Sequence, residues 1–153
     1  MIRRSVIAIL VATALLLGMT ISPALAARPV FVFQTLLTPE AEVPASPDED
    51  AIGHATVLIV PETDLVCWVV SWNRVDGSVV VAAHIHGPAT REQAVAPIVT
   101  FFQGVPHGTT DTDRGCTTSA AWADEIVETP GMFYVNVHSD AIPAGAVRGQ
   151  LGD

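Results

Sequence analysis

His84 and His86 stand two apart in Ala83-His84-Ile85-His86-Gly87-Pro88, and an extended chain turns residues i and i+2 to one face. Their Cα atoms would lie roughly 6.5 Å apart, a span that two imidazoles can close onto one ion. Alternation sets Val79, Val81, Ala83 and Ile85 on an apolar face, with Ala82, His84 and His86 opposite. In residues 132–138, Phe133, Val135 and Val137 alternate in the same way with Tyr134, Asn136 and His138. All three histidines are therefore expected on faces turned away from the core, on the outside of the fold. Three nitrogen donors without a thiolate suit Cu(II), Zn(II) or Ni(II). His107, beside Pro106 and Gly108, and His54, opposite Ala55, Val57 and Ile59, are the candidates for a fourth ligand. Asn136 and Asp140 flank His138 and are candidates to orient its ring through the second nitrogen. The competing reading makes the histidines structural, hydrogen-bonded to loop backbone around Gly87-Pro88.

Composition narrows what such a site could serve. Arg3 and Arg4 precede an apolar run over residues 6–21, and Ala24-Leu25-Ala26 supplies small residues for cleavage. Residues 1–26 are thus expected to be a signal peptide, leaving 27–153 as one exported domain with no membrane anchor after cleavage. Removing Arg3 and Arg4 leaves five basic residues against sixteen acidic ones, a net charge of −11, and no lysine occurs anywhere. A chain this acidic lacks the clustered positive charge that draws phosphate backbones, so nucleic acid is excluded as a partner. Only Cys67 and Cys116 are present, and an even count in an exported chain predicts a Cys67–Cys116 disulfide.

The elements that must position the histidines are short. Strand-like runs cover residues 30–37, 55–60, 65–72, 79–86, 96–102, 132–138 and 146–151, separated by turn-formers such as Pro61-Glu62-Thr63-Asp64 and Asp76-Gly77-Ser78. One short helix is expected within residues 119–128. The Gly-, Thr- and Asp-rich stretch 103–118 reads as a long surface loop pinned by Cys116, and the acid- and proline-rich stretch 40–50 as a solvated connection. About seven or eight strands with at most one helix predict an all-β, antiparallel β-sandwich or flattened Greek-key barrel, immunoglobulin-like or Cu/Zn superoxide dismutase-like. Trp68 and Trp72 share a strand face with Val66 and Val70 and are expected in its core. Arg148, flanked by Val147, Gly149 and Leu151, is expected to be partly buried and to need a partner, for which Glu42 is the candidate. No Ser-His-acid set and no phosphate-cradling glycine loop is present, so binding is expected rather than catalysis.

The same residues resemble a known family. Ala83-His84-Ile85-His86-Gly87-Pro88-Ala89, Tyr134-Val135-Asn136-Val137-His138-Ser139 and Ala144-Gly145-Ala146-Val147-Arg148-Gly149-Gln150-Leu151 are similar to motifs of the CHRD domain, the module named after chordin. Glu42-Val43-Pro44 and Gly53-His54-Ala55 resemble its early motifs, so the resemblance covers nearly the whole chain after the signal. Ala146 stands where the last motif commonly has glutamate, so any role of that carboxylate is absent or supplied elsewhere. The family's occurrence in chordin implies an extracellular protein-binding or matrix module as an alternative to metal binding. His-x-His followed by a later His also looks like the copper pattern of Cu/Zn superoxide dismutases, without their bridging histidine and zinc ligands. That second likeness implies copper, with zinc as alternative, and superoxide dismutation if there is catalysis at all.

Overall fold

The computed structural model describes residues 28–118 and 121–153. The expected signal peptide lies outside the described residues. Eight strands form in chain order: β1 (Phe31–Leu37), β2 (Ile52–Val60), β3 (Leu65–Asn73), β4 (Val80–His86), β5 (Pro97–His107), β6 (Asp111–Thr117), β7 (Tyr134–Ser139) and β8 (Val147–Gln150). A single α-helix among the described residues, α1 (Ala123–Glu128), precedes β7. All pairings are antiparallel, in two four-stranded sheets ordered β1-β2-β3-β6 and β5-β4-β7-β8. The all-β sandwich expected from strand spacing is thus the fold. Its β3-to-β6 and β4-to-β7 neighbours are the Greek-key crossings.

The core between the sheets is built by alternation. Val66, Trp68, Val70 and Trp72 of β3 face Ile85, Phe101, Phe102, Val135 and Val137 of the opposite sheet. Trp68 stacks on Phe101 at 4.7 Å between ring centroids, and Trp72 meets Phe102 at 5.6 Å. Both indole N–H groups are satisfied at the core's edge, Trp68 by Asp113 Oδ2 and Trp72 by the Gly108 carbonyl, each at 2.7 Å. Cys67 and Cys116 face each other directly across β3 and β6 and form the expected disulfide, closing a separation of 49 residues. Loop-closure entropy makes such a link worth about 3–5 kcal/mol.

Three local expectations are corrected. Residues 103–118 are not a long loop: β5 runs on to His107, a tight turn follows, and β6 pairs with β3 from Val66–Thr117 to Trp72–Asp111. β6 is an edge strand whose side chains lie mostly in water, so its polar composition carries no alternation signal. In β4 the register shifts between Val80 and Ala82, and this irregularity moves Val80 into the core while Val79 and Val81 leave it. Finally, residues 40–50 are not simply solvated. Glu42 and Asp48 are buried there, and Asp48 accepts hydrogen bonds from the Ala51 and Asp76 amides.

Candidate metal centre

The outer face of the sheet containing β4 is built in cross-strand rows. His86 of β4 lies opposite Tyr134 of β7, which lies opposite Gln150 of β8. His84 lies opposite Asn136, and Asn136 opposite Arg148. Ala82 lies opposite His138 on one side and Gln103 of β5 on the other. Alternation thus gathers His84, His86 and His138 side by side, with ring centroids 5.5, 5.1 and 6.1 Å apart. One nitrogen from each lies within 4.8 Å of the others. Three nitrogens on a tetrahedral ion, at bonds of about 2.0–2.1 Å, stand about 3.3 Å apart, so ring rotation of modest extent brings them to one centre.

This outer face is not solvent. His84 and His86 are each only 6% exposed and His138 is partly buried; residues 87–96 fold back over the His86 side of the sheet. Gly87 starts that return with φ at 148°, and a Cβ there would collide with the Phe133 ring. Buried side chains from β7 and β8 then hold the cover by its carbonyls. Arg148 donates through Nη1 to Gln93 O at 2.8 Å and through Nη2 to Thr90 O at 3.1 Å, while Gln150 Nε2 donates to Ala89 O at 2.9 Å. The Tyr134 hydroxyl accepts from the Val95 amide at 3.2 Å, and the Arg148 guanidinium sits 3.4 Å above the Tyr134 ring centroid.

Loop carbonyls also set the ligand chemistry. A carbonyl can only accept, so His86 Nδ1 carries its proton and donates to Val95 O at 2.7 Å, leaving Nε2 with a lone pair. His138 Nδ1 likewise donates to Pro143 O at 3.0 Å. His138 Nε2 lies 3.0 Å from Asn136 Oδ1, whose amide N–H₂ is turned to Glu42. Neither nitrogen of His84, nor Nε2 of His86, has any hydrogen-bond partner, although all are buried. Unpaired buried nitrogens cost about 1–3 kcal/mol each, and binding an ion would satisfy one on each ring. Burial, chiefly, also keeps the rings neutral. It lowers the His84 pKa to about 4, helped by His138 and His86 and weakly opposed by Gln103. His86 and His138 are lowered too, again first by burial. Neutral imidazole is the form that binds metal.

The remaining candidates separate from this trio. His54 is exposed on β2, in the other sheet, and so lies across the sandwich from His84. His107, at the end of β5, packs against Trp72 and Phe102 with Asp111 at 3.4 Å and Asp113 at 4.0 Å. Asp140 accepts from the Ser78 and Val79 amides at 2.8 and 3.2 Å and braces the β3–β4 connection, with those bonds lowering its pKa. Among the described residues Arg148 makes no ion pair with Glu42 within 4.0 Å; the cover's carbonyls take its donors instead. Glu42 is 7% exposed with Oε1 unpaired, and burial pushes its pKa up to about 7, although Arg148 and the Asn136 side chain work to lower it. Sequence reasoning missed Tyr134, Gln150 and Gln103. The signal for the first was available, since Tyr134 shares its strand face with Asn136 and His138.

A Greek-key sandwich carrying a buried, neutral imidazole trio defines the class: an all-β domain with a site able to hold a metal ion. Within that class the chain belongs to the CHRD domain family, whose model matches residues 33–151. No curated protein and no solved structure matches the chain.

Proposed function

We propose that this CHRD domain is an exported metal-binding protein that holds one copper ion on His84, His86 and His138, for storage or sequestration. The observation that carries this reading is the trio itself: three neutral imidazoles within 4.8 Å, with both nitrogens of His84 and Nε2 of His86 buried without a hydrogen-bond partner. A set of neutral nitrogen donors favours Cu(II) over other first-row dications and accommodates zinc as the alternative. Tautomers held by Val95 and Pro143 carbonyls support it further, because ligating imidazoles ordinarily donate their second N–H to such a group. The Cys67–Cys116 disulfide accords with an extracytoplasmic home, where the compartment is oxidising.

Copper titration of the protein purified from the exported fraction tests the reading. One equivalent should bind at sub-micromolar concentration, and H84A/H138A should abolish it. No binding, or binding unchanged in the double variant, would overturn the assignment. N-terminal sequencing of that fraction should begin at Ala27.

A further inference from the structure

The trio is sealed on one side and open on the other. His86 lies under residues 87–96, tied to Val95 and stacked 4.8 Å from Tyr134 at an interplanar angle of 3°. His84 and His138 instead form walls of a surface groove together with Ala82, Gln103 and Pro143. The groove follows from the register. Gln103, Ala82 and His138 stand in one row across β5, β4 and β7, and the methyl of Ala82 is too short to fill the space between its two longer neighbours.

Among the described residues no fourth His, Cys, Asp or Glu joins the trio. No carboxylate lines the groove either. Three neutral imidazoles leave the full charge of a divalent ion uncompensated, so what approaches through the groove is selected for negative charge or a strong lone pair, and for small size. At the mouth the Gln103 side chain is exposed beside the His84 ring, and rotation about its last bond turns its amide N–H₂ towards an incoming ligand.

We propose that the bound ion keeps one coordination position open to small exogenous anions through this groove, and that the Gln103 amide donates a hydrogen bond to the incoming ligand. This rests on the metal reading above and gives the site an exchangeable partner rather than a closed, purely structural shell. The groove, not the covered side, sets the direction of exchange.

Azide is the probe, added to protein already loaded with one equivalent of Cu(II). The open position predicts a saturable azide-to-copper charge-transfer band and a matching change in the copper electron paramagnetic resonance spectrum. Compared at equal copper loading, Q103A should weaken azide binding by about threefold to tenfold, the net worth of one ordinary hydrogen bond at an exposed position. A82V, which fills the floor between Gln103 and His138, should weaken it as well. Copper that binds but shows no response to azide overturns the open position, whereas a failure to load copper overturns the metal reading itself. Azide affinity unchanged in both variants overturns the groove as its route.

Discussion

The two outer faces of this sandwich follow the same alternation and end in opposite environments. On the β1-β2-β3-β6 sheet, Val32, Leu36 and Val69 point outward and remain 56%, 49% and 47% exposed. On the β5-β4-β7-β8 sheet the outward residues are polar, yet His84, Asn136 and Arg148 are only 6%, 3% and 1% exposed. Apolar residues in water and polar residues in the dark invert the usual sorting. A layer of chain makes much of the difference: residues 87–96 cover His86, Tyr134, Arg148 and Gln150 of the second sheet, and nothing comparable is described over Val32 and Val69. Single exposed valines are tolerated cheaply, whereas a buried arginine and unpaired imidazoles persist only where carbonyls, or an ion, meet their needs.

Removing ligands from the covered face should break the contrast most severely. H84A/H138A should lose copper affinity by more than about 100-fold and abolish the rise in Tm that copper confers on the parent protein, read by calorimetry and scanning fluorimetry. Next comes the residue that holds the cover. R148A, which leaves Gln93 and Thr90 carbonyls without donors, should cost about 3–5 kcal/mol in denaturant unfolding, while R114A on the exposed sheet should stay within about 0.5 kcal/mol. Equal effects of the two substitutions would remove the cover from the explanation. R148K, which keeps the charge and loses the fork, separates lost hydrogen bonding from lost charge.

The covered face should also carry the pH dependence, through two groups of opposite sign. His84 has a folded pKa near 4 against 6.5 unfolded, so its contribution to stability is present above pH 6.5 and is lost as pH falls toward 4. Glu42 has a folded pKa near 7 against 4.5, so its contribution is present below pH 4.5 and is lost as pH rises through 7. Each shift corresponds to about 3 kcal/mol over its full range. They oppose one another between pH 4.5 and 6.5. E42Q should therefore lose stability more steeply on acidification than the parent protein, and H84A less steeply, as followed by urea midpoints. A parallel pH profile in all three proteins would show that neither group titrates as its surroundings require. The smallest effect is expected from H54A, on the exposed sheet: copper affinity should stay within about twofold and stability within about 0.5 kcal/mol.

Much of the site was legible because strand geometry has a period of two. His84, His86 and His138 are assigned one common orientation by the apolar residues between them, and the register of β4 and β7 makes them neighbours. Alternation does not hold at Val79 and Val81, where one irregularity in β4 reverses the phase without leaving a mark in residue type. Nor does it mark residues 111–117, where an edge strand with few packed side chains has little composition to distinguish it from a loop. Arg148 shows a third limit. Burial and need of a partner were foreseeable from its flanking residues, but backbone carbonyls have no residue identity, so Thr90 and Gln93 could not be read as its acceptors.

What the sequence determines by itself is local and periodic: short amphipathic strands, hence a sandwich; an even pair of cysteines, hence a bridge; and imidazoles set off the core face. These follow from side-chain direction and covalent chemistry, which act at the scale of neighbouring residues. The tertiary structure decides whether a face turned from the core meets water or another layer. That choice depends on where residues 87–96 come to rest and on which carbonyls they present. The result is a buried, neutral trio, two of its tautomers fixed by loop carbonyls, with an opening on one side.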